Sequence, residues 1–504
     1  MPSSLTDPGS APAPWPARLS SAPVLLGLFA LWLLATLGWR PLLLPDEGRY
    51  ASVAREMLLG DGLVPTLNGL PFFHKPPLFY WLDMTAMQLF GSSAFTARFA
   101  SMLGAWLLGA SLFFALRRWH GARAAAITLG VLATCPFFFI GAQYANHDML
   151  VAGLITAAVL AFARALDQPP RVQLGWLVAA WGACALAVLA KGLIGFVLPA
   201  LIIGPWLLAQ GRWRQMFKLL HPLGLLAFSL VAAPWFVAMQ MRYPGFFEYF
   251  FMEQHFRRFA QSNFNNVHPF WFFVVVLPAL TLPWSVWFPQ AAQRAWAQRD
   301  SRIGLCAWWV VAVVGFFSLP SSKLVGYVLP AVAPWCMLLA LPIVQGRGRA
   351  WPWVMGVSAA VCVAIVAAFA WQAPKSNRAA ALALAAQMAP TDRAVMVDQY
   401  LYDLPYYARL KSPVIIAADW ADPALPTRDN WRKEVFDAAR FAPALGRELL
   451  HPLGQLDALL CGAGTVWFVV SPGDAKQVAA LAGVTRTFAD GRTELWRATL
   501  RACP

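Results

Sequence analysis

The chain has 504 residues, 59% of them hydrophobic and 12% charged, with a mean hydropathy of +0.55. Soluble domains carry roughly twice that charged fraction, so the composition excludes an ordinary globular protein and makes lipid the solvent for most of the chain. The net charge of +15 does not point to nucleic acid, because the cations stand singly between apolar runs instead of forming a basic patch.

Residues 1–20, rich in Pro, Ala and Ser, read as a disordered tail. The first apolar run, Val24 to Trp39, resembles a signal peptide, but only Arg18 precedes it and no small-residue cleavage site stands before Pro45-Asp46-Glu47. It therefore reads as an uncleaved membrane span. Further apolar stretches of bilayer-crossing length fall near 95–116, 122–141, 147–166, 173–190, 193–209, 219–240, 270–289, 303–319, 325–343 and 351–371. That predicts eleven spans, within a range of 11 to 13. Five cysteines (Cys135, Cys184, Cys306, Cys336, Cys362) lie in these stretches as inert buried thiols, while Cys461 and Cys503 could pair in an oxidising compartment.

Alternate junctions carry the cations: Arg117, Arg118 and Arg123; Arg164 and Arg171; Arg212, Arg214 and Lys218; Arg294, Arg299 and Arg302; Arg347 and Arg349. Cytoplasmic loops are rich in Lys and Arg, so this pattern sets the N-terminus inside and everything after about 372 outside. The opposite junctions have a different character, and the first of them is long. The first, 44–92, should hold a helix from Asp46 to Leu59 lying along the membrane surface, then a second amphipathic segment after Pro76-Pro77. A second outer loop spans 242–268, and shorter turns carry Asn146-His147-Asp148, Lys191 and Ser321-Ser322-Lys323. Pro136, Pro278 and Pro330 should mark kinks within spans.

Beyond Trp371 charges return. Short β-like runs (Ala394–Val397, Val414–Ala417, Val466–Val470, Thr493–Arg497) alternate with helical candidates at 431–440 and 474–482, as in a small α/β domain. The predicted organisation is a tail (1–20), a transmembrane unit (21–372) and a C-terminal α/β unit (373–504).

The outer loops should be poor in cations, yet they collect Arg49, Lys75, Lys191, Arg257, Arg258 and Lys323, beside the acids Asp46, Glu47, Glu56, Asp83 and Asp148. A cation against the topological trend is costly, and function is its first explanation. Cations can hold a lipid phosphate through charge-assisted hydrogen bonds, and a carboxylate can take a proton from an attacking group or bind a metal. Together they suit glycosyl transfer from a phosphate-linked lipid. The plainer alternative is that they pair with one another at the interface. A lipid-linked-sugar transporter would instead place ionisable groups near the bilayer midplane, often with repeat symmetry, and neither is visible.

The first outer loop carries a family likeness. Pro45-Asp46-Glu47-Gly48-Arg49-Tyr50-Ala51, Leu67-Asn68-Gly69 and Lys75-Pro76-Pro77-Leu78-Phe79-Tyr80-Trp81 resemble the aminoarabinose lipid A transferases. They also resemble the wider GT-C glycosyltransferases, which include protein O-mannosyltransferases. Later stretches agree in order: Asn146-His147-Asp148-Met149, Ala190-Lys191-Gly192, His255-Phe256-Arg257-Arg258-Phe259 and Lys323-Leu324-Val325-Gly326-Tyr327. The resemblance implies a mainly α, polytopic GT-C fold in the bacterial inner membrane, with a small C-terminal α/β periplasmic domain. The implied donor is a polyprenyl-phosphate sugar, and the acceptor is lipid A or another envelope glycan. It puts the catalytic carboxylate on Asp46, a second important acid on Asp148, and Glu47 beside them. The carrier phosphate falls to Arg49, Lys75, Lys191 and Arg257 or Arg258, with Lys323 and Tyr327 in addition. Where those transferases often have Glu before the Lys-Pro-Pro motif, this chain has His74. A divalent metal there would take His74 and His255 as ligands; the alternative is a hydrogen-bonded interfacial ring.

Overall fold

A computed structural model of the chain describes residues 21–257, 266–297, 300–346, 350–372 and 376–502. The tail predicted for 1–20 lies outside them. Among the described residues seven helices are long and apolar enough to cross a membrane, and a bent pair, Phe272–Leu280 with Trp284–Ala297 at 109°, brings that to eight.

The first apolar helix, α1 (Ala22–Leu34), leads into α2 (Asp46–Leu59), a short hairpin of β1 (Thr66–Leu67) and β2 (Leu70–Pro71), and α3 (Leu78–Phe90). Two acids in the first turn of α2 complement the positive end of its peptide dipoles. Instead of presenting one apolar stripe to a bilayer, α2 is buried on most sides. Its outer face is covered by the C-terminal region: Ser52 donates to the Tyr402 carbonyl (2.6 Å) and Arg55 to that of Leu410 (2.8 Å). The hairpin turns at Asn68-Gly69, both with left-handed φ (55° and 75°), which Asn and Gly tolerate best. Asn68 then pairs through its amide with the backbone of Val414 on both sides (2.8 Å each), so the turn docks onto the C-terminal sheet.

Next comes α4 (Phe99–Ala133), which leaves helical geometry at Gly121, between the two stretches expected as separate spans. The chain breaks again before α5 (Pro136–Ala142). There the freed groups of Thr134 are met by neighbours: its carbonyl accepts from Ser358 and its hydroxyl from Trp284 (3.2 Å). Pro278 sits just before the 109° bend, and Pro330 in a 3-10 turn, Val325–Ala331, that opens the next span. The bundle continues through α6 (His147–Ala165), α7 (Pro170–Lys191), α8 (Ile194–Ala209), α9 (Arg214–Leu219) and α10 (Pro222–Arg242). At its centre is α6, whose apolar window is 89% buried, against 17% for helix Trp351–Gln372. Glycines let α6 and α4 touch backbone to backbone: a methyl at Gly153 would stand 2.2 Å from the Gly104 carbonyl oxygen.

After helix Trp351–Gln372 the chain builds a six-stranded sheet of order β5-β4-β3-β6-β8-β7. Its strands are β3 (Arg393–Val397), β4 (Ile415–Ala418), β5 (Leu450–Pro452), β6 (Thr465–Val470), β7 (Val484–Ala489) and β8 (Glu494–Thr499). β5, β4, β3 and β6 run parallel; β8 and β7 close the edge antiparallel. The four β-like runs fall on β3, β4, β6 and β8. β5 and β7 carried no signal, β5 being three residues long and β7 an edge strand with most of its side chains exposed. Cys461 is disulfide-bonded, and Cys503 lies outside the described residues.

Candidate functional site

The first turn of α2 sends two adjacent carboxylates into different surroundings. Glu47 is fully buried between Arg40 and Arg98. One of its oxygens accepts from Arg98 Nε (2.7 Å), Arg40 Nη2 (3.1 Å) and the Ala145 amide (2.9 Å); the other accepts from Arg40 Nη1, Arg98 Nη2 (3.0 Å) and the Leu43 amide (2.8 Å). Burial by itself would raise this acid, but the two guanidinium groups outweigh it and hold the carboxyl at about 2. No face of Glu47 is left for a substrate, which corrects its placement among the catalytic residues. Sequence reading had also missed its partners. For Arg98 a signal existed: it is a cation at the head of an apolar stretch, where a buried counter-charge is the rule.

Asp46 remains partly exposed. It pairs with Arg49 one helical turn on, and its second oxygen accepts from the Asn146 side-chain amide (3.2 Å). Asn146 also caps α6, its oxygen accepting from the Asp148 amide (3.1 Å). One side chain thus bridges Asp46 to the turn that carries Asp148. Ser101 pins this turn by donating to the carbonyls of Tyr144 (2.7 Å) and Asn146 (3.1 Å). The Asp148 carboxylate forms an ion pair with Lys191 at the end of α7, and the Lys191 ammonium lies 4.6 Å from the centre of the Tyr327 ring. Gly326 packs so tightly here that a methyl on it would stand 2.2 Å from Asp148 Oδ2.

Arg49 reaches further. Its guanidinium pairs with Glu434 of the C-terminal region and lies over the rings of Tyr50 (5.0 Å) and Tyr402 (5.5 Å). Tyr402 in turn donates to Glu434 (2.6 Å). Glu434 and Tyr402 were missed, because nothing local distinguishes them from other residues of an α/β domain. His147 packs among Tyr50, Phe79 and Tyr80 with ring centres 4.5, 4.4 and 5.1 Å away. Tyr50 also carries the Arg49 guanidinium on its ring, and Asp148, next in the chain, holds Lys191, so two of the expected phosphate-holding cations meet in this neighbourhood.

Other expected residues lie elsewhere. Lys323 is buried and donates to the carbonyls of His268 (2.9 Å), Pro320 and Ser321 (3.5 Å), fastening two loops together; that separates it from the phosphate-holding set. Asp83 accepts from the Ala100 amide (2.8 Å) at the start of α4, and burial pushes its carboxyl well above the usual range. Glu56 accepts from the Asn68 and Gly69 amides (2.8 and 2.9 Å), holding the hairpin turn. The side chains of His255, Arg257 and Arg258 lie outside the described residues. The second expected metal ligand, His255, is thus not described, which leaves His74. Its ring stacks on Phe72 at 4.4 Å, and no group of three or more His, Cys, Asp or Glu able to hold an ion occurs among the described residues.

Residues 74–238 match the family described as dolichyl-phosphate-mannose-protein mannosyltransferase. The chain is 37% identical over 320 residues to the undecaprenyl phosphate-alpha-4-amino-4-deoxy-L-arabinose arabinosyl transferase of Erwinia tasmaniensis, covering 62% of this chain and 57% of that one. It is 38% identical over 336 residues to arabinosyl transferase 2 of Sodalis glossinidius, covering 65% of this chain and 60% of the relative. The chain thus spans about three fifths of the curated relatives it matches. A crystal structure of ArnT from Cupriavidus metallidurans bound to undecaprenyl phosphate superposes with a TM-score of 0.82 at 25% identity, over 97% of this chain and all of that one. The likeness to aminoarabinose transferases read from the loop motifs therefore extends to the fold.

Proposed function

From a fold and loop motifs shared with the aminoarabinose transferases, we propose that this chain is an integral-membrane glycosyltransferase of the GT-C type. Its donor is a sugar on a polyprenyl phosphate such as undecaprenyl phosphate, and its acceptor is lipid A or another envelope glycan. The observation that carries this reading is the bridged pair Asp46–Asn146–Asp148, each acid held by a cation, Arg49 and Lys191 respectively. An arriving lipid phosphate competes with these carboxylates for Arg49 and Lys191, assisted by Lys75 and by Arg257 or Arg258, while Tyr327 stacks on Lys191. That exchange releases Asp46 to orient or deprotonate the acceptor as the cations stabilise the departing phosphate. Direct displacement forms the new bond from the acceptor oxygen to the anomeric carbon, breaks the bond to the carrier phosphate and inverts the centre. Glu47 is a positioning group: it ties α2 to the turn carrying Asn146 through Ala145.

Eleven spans follow if α4 is divided at Gly121, the bent pair is one span, and the shorter apolar helices α1 and α8 also cross. With the N-terminus cytoplasmic, the Asp46 cluster and the C-terminal sheet face the periplasm, on the outer side of the inner membrane.

Purified protein in lipid nanodiscs, given radiolabelled polyprenyl-phosphate sugar and lipid A, should transfer label. Asp46→Asn should lose at least about a hundredfold in rate with an unchanged unfolding midpoint. Full transfer by that variant would remove Asp46 from catalysis. The match of residues 74–238 to the protein mannosyltransferases favours one second reading, a protein acceptor. Label recovered in protein, with lipid A unlabelled, would establish it.

A further inference from the structure

Away from the Asp46 cluster, a cavity of about 410 Å³ lies where the end of the first apolar helix meets the loop after α3 and the region that follows the last span. Three arginines line it (Arg40, Arg378 and Arg409) together with the hydroxyl-bearing Ser92, Ser93 and Tyr407, and no carboxylate is among its lining residues. Behind the wall, Arg40 and Arg98 share the single carboxylate of Glu47, so the buried cluster itself carries an excess positive charge. Arg409 is held in the left-handed backbone region (φ 53°), an uncommon state for a side chain of its size. The turn is fastened there by bonds from the Leu410 amide to the Pro405 carbonyl (3.1 Å) and from Arg55 to the Leu410 carbonyl (2.8 Å). Arg378 and Arg409 are both exposed, at the rim. The surroundings have the character of a membrane interface: Trp39 and Leu382 in the lining are 55% and 50% exposed, and Phe90, beside the Ser92 loop, is 67% exposed.

We propose that this cavity is a second anion site, which takes the phosphate of a membrane lipid headgroup between Arg378 and Arg409. Two exposed guanidinium groups offer forked donors matched to phosphate oxygens, and the exposed Trp39 and Leu382 lie against the acyl chains. Arg40 links the cavity wall to Glu47 and through it to the Asn146 turn, so an occupied site steadies the wall that carries the catalytic turn. The phosphate could belong to the surrounding phospholipid or to the acceptor lipid, and the two sources separate experimentally.

The test is binding to the full-length protein, and it needs no sugar transfer. Native mass spectrometry would count molecules of phosphatidylglycerol, phosphatidylcholine and lipid A retained by the wild type and by an Arg378→Gln/Arg409→Gly variant. Glycine suits the left-handed backbone at 409, so that change removes the side chain and its charge without straining the turn. Phosphatidylglycerol and lipid A should both outlast phosphatidylcholine, and the variant should weaken retention by at least about tenfold, as expected for two interfacial cations. Arg378→Lys should keep most of the affinity. Selective loss of lipid A alone would identify the acceptor as the occupant; loss of both would identify the bulk leaflet lipid. Equal retention by wild type and variant, or occupancy satisfied equally by inorganic phosphate, would overturn the lipid site. Failure of transfer in the nanodisc assay would leave these outcomes unaffected.

Discussion

Asp46 and Glu47 are adjacent in the chain, yet one is partly exposed beside Arg49 and the other is enclosed by two guanidinium groups. The pairing sets opposite expectations for their removal. Glu47→Gln leaves Arg40 and Arg98 buried without a counter-charge, so it should cost about 3–5 kcal/mol of stability, seen as a fall in the unfolding midpoint. Asp46→Asn should spare stability and abolish transfer. Titration separates Glu47 from one further acid, Glu56. Because the folded Glu47 carboxyl is held at about 2, below the ordinary 4.5, its contribution is complete above pH 4.5 and is lost as pH falls toward 2. Glu56 behaves in the opposite sense. Burial raises it to about 7 against the pull of the Gly69 and Asn68 amides, so the folded chain binds that proton more tightly. Its contribution is complete below about 4.5 and lost as pH rises through 7. Unfolding midpoints measured from pH 4.5 to 7 should therefore decline for the wild type and flatten for Glu56→Gln.

Among the elements, α4 and α6 show how glycine sets the approach of two helices. Gly153→Ala drives a methyl into the Gly104 carbonyl and should destabilise by about 1–3 kcal/mol or more, whereas Gly182→Ala, with open space around it, should be neutral in the same unfolding assay. Gly326→Ala belongs to the same scale but touches the site. Its methyl would displace Asp148 from Lys191, and the expected result is a raised donor KM with a modest change in the midpoint. The helices of the long loop after α1 were legible, since acids at the start of α2 and Pro76-Pro77 before α3 are local signals. That α2 is enclosed was not legible, because its cover arrives from residues beyond 400.

Across the whole molecule, the link between Arg49 and Glu434 joins residues 385 apart and ties the membrane bundle to the C-terminal sheet region. Glu434→Gln leaves Arg49 to Asp46, strengthening the pair that the proposed mechanism opens; on that proposal transfer should fall about tenfold with the fold intact, measured as donor KM against kcat. The topology has its own check: a single cysteine placed at Arg409 should react with a membrane-impermeant maleimide added from the periplasmic side. The sequence by itself determined the solvent, the apolar helices, the four β-like runs that fall on β3, β4, β6 and β8, and the candidate residues Asp46, Arg49, Asp148 and Lys191. Hydropathy, turn chemistry and cations placed against the topological trend are local properties, readable one segment at a time. Only the tertiary structure decided that Glu47 is an anchor, that Lys323 is fastened by carbonyls and that Asn146 bridges the two acids. Burial and pairing depend on which distant segments arrive at a side chain, and a lone carboxylate in a motif has the same letter whether it meets substrate or two buried arginines.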